Sequence, residues 1–187
     1  METLTSLLVG LGLAAACGFR VFLPLLIMSI ASYTGYLRLE TGFHWMGTLP
    51  ALLAFGTATV LEIAAYHIPW VDNVLDTLAV PAAMVAGTIV TVSALTGLDP
   101  FLSWTLAVIG GGGVAGVIQT TTTAIRHAST LTTGGLANPL LATVEAAGSF
   151  VLAVLAVVVP VVAFTLILLL FLFGARKILA WRRPASA

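Results

Sequence analysis

The chain has 187 residues, of which 60% are hydrophobic and 7% charged, with seven Lys/Arg against seven Asp/Glu; mean hydropathy is +1.14. Soluble domains carry about 25% charged residues, so a sizeable aqueous domain is excluded, and zero net charge gives nucleic acid no electrostatic footing. The single cysteine, Cys17, rules out an intrachain disulfide and a cysteine-based metal cluster.

In chain order, the apolar runs predict an all-α, polytopic bundle of five or six transmembrane helices. The first run covers about Leu4–Ile30 and ends at Ser32-Tyr33-Thr34-Gly35. Small residues before Cys17 imitate a lipoprotein cleavage site. Glu2 stands where a basic region is needed, however, and the apolar run continues through Met28, so the segment reads as a retained span. A polar loop with Arg38, Glu40, His44 and Trp45 leads to a second run, Thr48–Tyr66, with Pro50 in its first turn. A third follows at Val74–Leu95 and a fourth at Phe101–Ile125, after which Arg126 and His127 open a polar connection to Asn138-Pro139.

The last stretch, Leu140–Phe173, would be about 51 Å long as one helix, against roughly 30 Å of hydrocarbon. Pro160 near its middle predicts a tightly turned or broken pair. Arg176, Lys177, Arg182 and Arg183 beyond it predict a cytoplasmic C-terminus in a bacterial inner membrane. The chain reads as one integral membrane domain. Its halves, 1–98 and 99–187, echo one another weakly: Gly18 aligns with Gly116, and Asn73 with Asn138. Ala/Gly-rich apolar segments resemble each other by composition alone, so a true repeat and no repeat both stand.

Arg20, Glu62, Asp76 and Glu145 lie inside aliphatic sequence. An ionised group at that depth costs a few kcal/mol and is rarely kept without a partner or a role, so Arg20 is expected to contact one of the three acids. Pro24 frees the carbonyl of Arg20, and Pro81 frees that of Thr77 beside Asp76; with Pro160 these are the expected helix breaks. Asp76, Thr77 and a freed carbonyl would suit a proton or small cation. Asp72 and Asn73 suit capping. One deep cation against three deep acids leaves a surplus to be protonated, to bind a cation, or to reach Arg126 or water. Gly112 and Gly116 have helix-contact spacing. Gln119, heading the run to Thr123, either lines a site or belongs to a polar segment whose threonines bond their own helix.

With Gly18-Phe19-Arg20-Val21-Phe22-Leu23-Pro24, Asp72-Asn73-Val74-Leu75-Asp76 and the segment from Gly134 to Ser149 in hand, the chain resembles the bacterial membrane family catalogued as domain of unknown function 4126. That resemblance covers nearly the whole chain. It implies that Gly18, Arg20, Pro24, Asp72, Asn73, Asp76, Asn138, Pro139 and Glu145 belong to recurrent elements, and it supplies no substrate, cofactor or reaction. No catalytic, metal or cofactor signature is present. The expected function is a small-solute or ion transporter or channel, proton- or cation-coupled, with the bilayer and an unidentified solute as partners and homo-oligomerisation open. The alternatives are a scaffold or lipid-binding module whose buried charges are structural, and, more remotely, an intramembrane enzyme.

Overall fold

The computed structural model describes residues 2–68 and 71–181, apart from the side chains of Glu2, Asn73, Ala175 and residues 177–181. All regular structure within them is helical: α1 (Glu2–Cys17), α2 (Phe22–Tyr33), α3 (Leu49–Ala65), α4 (Val71–Ala94), α5 (Pro100–Leu106), α6 (Gly113–Thr133), α7 (Asn138–Val158) and α8 (Pro160–Trp181). A 3-10 helix, Thr41–Gly47, precedes α3, and a π-helical turn, Ala107–Gly112, joins α5 to α6. The glycines there bring the backbone against α4. A Cβ on Gly112 would fall 2.6 Å from Thr88 Oγ1, and one on Gly116 2.8 Å from Met84 Cγ.

The first apolar run is not one span. The helix ends at Cys17, and the chain resumes as α2 running the opposite way. Along α7, α1 places Gly12 beside Ala156 and Ala16 beside Ser149, whose hydroxyl donates to the Ala16 carbonyl at 3.0 Å. Helix α2 instead runs from Arg20, near Ala142, to Ile30 and Ala31, near Val157 and Val158. The two legs make a helical hairpin. At its tip Gly18 meets α6, where any Cβ would lie 2.6 Å from Ile118 Cβ and 2.8 Å from the Ala115 carbonyl. Pro24 follows the break in the first turn of α2, where a missing N–H has no intrahelical use.

Three described helices are long and apolar enough to cross a bilayer: Val74–Ala94, Pro100–Thr133 and Asn138–Val158. The pair Thr41–Gly47 and Leu49–Ala65, bent by 66°, makes a fourth if it acts as one span. In α8 the apolar stretch within the fully described residues is Pro160–Gly174. The first run, expected as one span, is instead two short helices, Thr3–Cys17 and Phe22–Tyr33. Pro81 breaks nothing: α4 continues through it to Ala94. That helix packs along α1 and α6. Pro160 does end α7, and α8 turns back, with Ile167 packed among Ala15 and Ile118.

The fourth run also extends further than expected. Helix α6 passes through Arg126 and His127 to Thr133 and stops at Gly134, whose φ of 64° is left-handed. Hydroxyls that bond back to their own helix, such as Thr132 to Ala128 O at 2.9 Å, carry the polar sequence in helical form.

The core is alanine-rich and close-packed around α1, which touches α4, α6, α7 and α8 and so ties residues 1–98 to 99–187. Large aliphatics such as Ile109, Leu140, Val144, Leu169 and Phe173 are exposed, while Arg20, Arg126, Gln119, Ser149 and Glu145 are buried. Apolar outside and polar inside is the arrangement a bilayer selects. At one end of the bundle the start of α1, the end of α2 and the end of α4 border a concavity of about 1140 Å³ that includes Thr5, Ser6, Ser32, Arg38 and Glu40. The hairpin tip points toward the other end.

Candidate functional site

Five elements converge on the tip. The break after Cys17 carries Arg20. The C-terminal end of α3 brings Glu62 and Tyr66, and the first turns of α4 bring Asp72 and Asp76. Helix α6 contributes Arg126, and α7 contributes Asn138 and Glu145. Both guanidiniums are 1% exposed.

Glu145 is the centre of the cluster. Arg126 grips it with two parallel hydrogen bonds, Nε to Oε1 at 3.1 Å and Nη2 to Oε2. The same Oε2 lies 3.3 Å from Arg20 Nη2, which also donates to the Ala142 carbonyl at 2.8 Å. Both guanidiniums lie over the Tyr66 ring, 3.9 Å and 4.2 Å from its centroid, so the π face offsets part of the repulsion between like charges.

Asp76 is held less firmly. Its Oδ1 stands 3.6 Å from Arg126 Nη1, too far for a hydrogen bond, and both atoms are buried without a hydrogen-bond partner. Arg20 Nε and Nη1 are likewise buried and unpartnered. The network is therefore closed on Glu145 and open on Asp76 and on one side of Arg20.

The remaining polar contacts are mechanical. Glu62 accepts from the backbone amides of Val21 at 2.8 Å and Phe22 at 3.0 Å. It thereby caps the α2 N-terminus, where amide donors are otherwise unused and the helix dipole favours an anion. Asn138 donates to Asp72 at 3.2 Å and to Thr130 at 3.0 Å, stitching α7, α4 and α6 together.

Of the residues singled out from sequence, Arg20, Asp76 and Glu145 share the cluster, Glu62 supports its floor, and Asn138 lies two turns before Glu145 at the start of α7. Thr77 is on the exposed side of α4. Pro81 lies within the continuous α4 and has no N–H to give the Thr77 carbonyl one turn earlier. Gln119 is buried two turns before Arg126 and donates to Thr122 and Thr123 of its own helix. The side chain of Asn73 lies outside the described residues. No metal-holding group of His, Cys, Asp or Glu occurs among the described residues.

Arg126 and Tyr66 are the residues sequence reasoning misplaced or passed over. Arg126 reads as a loop residue because the apolar run stops at Ile125. Its seven-residue spacing from Gln119, two helical turns on one face, was the available signal. Reaching Arg126, one of the outlets expected for the surplus acid, is what Glu145 and Asp76 do. Two buried cations face Glu145 and Asp76, while Glu62 and Asp72 are satisfied by backbone amides and Asn138.

Residues 7–180 match a family whose description is Domain of unknown function (DUF4126). Neither the curated proteins nor the solved structures contain a match.

Proposed function

Since the chain belongs to the DUF4126 family, whose description assigns no activity, we propose from the geometry that this membrane protein is a small-solute transporter, with Asp76 as its proton-coupling acid and the Arg20/Arg126/Glu145 cluster as its binding centre. One observation carries the reading. Asp76 Oδ1 and Arg126 Nη1 are buried 3.6 Å apart, and neither has a hydrogen bond. A bridge kept only to hold helices together closes to about 2.7–2.9 Å, and a buried group left unsatisfied costs about 1–3 kcal/mol. An arrangement that tolerates this cost is poised to change partners.

A proton suits Asp76 better than a metal cation, because the guanidinium beside it repels a second positive charge. No enzymatic role is assigned. The basic C-terminal residues support a cytoplasmic, inner-membrane assignment for the cluster end of the bundle, toward which α8 leads. The scaffold reading is favoured for Glu62, Asn138 and Ser149, whose bonds are short and join different elements.

Asp76→Asn separates the two roles. Under the transport reading the variant expresses and melts within about 1 kcal/mol of wild type, because only a long ion pair is lost, while proton-coupled uptake in proteoliposomes disappears. A variant that collapses makes Asp76 a structural residue and removes it from any coupling mechanism.

A further inference from the structure

We infer that Arg20 and Arg126 together form an oxyanion site that takes a phosphate group, with Glu145 occupying part of it in the state described. The inference names a substrate class for the proposed transporter, and so rests on that reading for its role, though not for its geometry.

Glu145 Oε2 is approached by both guanidiniums, at 3.3 Å from Arg20 and in direct contact with Arg126. Both cations therefore fall within reach of one small oxyanion. Around that shared oxygen the donors are only half used. Arg20 Nε and Nη1 and Arg126 Nη1 have no hydrogen-bond partner, and both side chains are 1% exposed. Unused guanidinium donors at that burial are costly. They also lie on two different side chains, so one carboxylate, with two oxygens already committed, cannot serve them all. A tetrahedral phosphate offers enough oxygens to bridge both forks, and guanidinium–phosphate pairing is bidentate and charge-assisted.

Charge points the same way. Arg20 and Arg126 stand among Glu145, Asp76, Glu62 and Asp72; a neutral Asp76 lowers the negative charge that an incoming anion meets beside Arg126. The groups facing Asp76 are Arg126 from α6, Glu145 from α7, Tyr66 at the end of α3, Asp72 on its own helix and His127. Removing the Asp76 charge relieves Arg126 Nη1 of the carboxylate 3.6 Å away and frees it for the ligand. The phosphate belongs either to a free ion or to a lipid headgroup, and both present the same atoms to the cluster.

The test uses the full chain purified in a sugar detergent, which has no phosphate of its own. Melting is followed against inorganic phosphate, against sodium chloride of equal ionic strength, and against short-chain phosphatidylglycerol. Phosphate is expected to raise the wild-type melting temperature by about 2–4 °C beyond chloride. Asp76→Asn should reach half of that rise at about one-fifth of the phosphate concentration or less. Arg20→Lys, which keeps the charge and loses the fork, should abolish the shift.

A rise with phosphatidylglycerol alone supports the site with a lipid as its source. No rise with either phosphate source overturns the inference, as does an Asp76→Asn protein that binds no tighter than wild type. That second comparison decides the matter even if Arg20→Lys fails to fold. Phosphate binding without proton-coupled flux would remove the transport reading and leave the site. Coupled flux of a solute lacking phosphate, with no phosphate binding, would do the reverse.

Discussion

At Glu145 one carboxylate serves two guanidiniums, whereas Asp76 a few ångströms away touches one of them only loosely. The two acids should therefore answer mutation differently. Glu145→Gln leaves Arg20 and Arg126 buried with a neutral partner, and breaking a buried pair from one side costs about 3–5 kcal/mol. Thermal melting in detergent should show a fall of about 6 °C or more for this variant, well beyond any change in Asp76→Asn. Equal losses would mean that the cluster is one uniform structural network. The Tyr66 ring lies against both cations and is a further favourable contact for each of them in either variant's background.

The α1–α2 hairpin is the element on which the site depends. Its break falls at Gly18–Val21, where Arg20 is delivered to the interior and the new helix begins with unpaired amides. Glu62 from α3 satisfies those of Val21 and Phe22. In Glu62→Ala they lose that acceptor in a place water reaches poorly, and loss of an N-terminal cap costs about 0.5–2 kcal/mol. The expected result is a modest fall in melting with a local readout: amide exchange at Val21 and Phe22 should accelerate more than in the middle of α2. Unchanged exchange there would show that the hairpin tip is held by packing of Gly18 on α6 alone. At about 24 Å for its 16 residues, α1 is shorter than the roughly 30 Å of bilayer hydrocarbon.

For the whole molecule, the hairpin changes the parity of the chain. With α1 and α2 entering and leaving at one end, the N-terminus lies at the concavity end, and α8, running beside α1 in the same direction, finishes at the other. Single cysteines at Leu4 and Arg176 should accordingly be labelled by an impermeant maleimide from opposite faces of sealed vesicles. Native Cys17 is buried and should stay silent. Labelling of both positions from one face would refute the hairpin topology.

The membrane class, the helical composition and the need of Arg20 for an acid were legible in the sequence because each follows from local hydrophobicity or from the cost of a bare charge. Pro160 was legible too, since a proline after twenty-odd apolar residues must end or bend the helix. The direction of α2 was not. Residues 4–30 carry no polar turn, and only the packing of Gly18 on Ile118 and the capping of Val21 and Phe22 by Glu62 make reversal at Gly18–Val21 favourable. Arg126 was hidden for the converse reason. A hydropathy profile ends a span at the first charge, whereas tertiary structure keeps the helix going when a carboxylate from another helix awaits that charge. Which of several acids meets which arginine is a matter of distances between helices far apart in the chain, and those distances exist only once the bundle has packed.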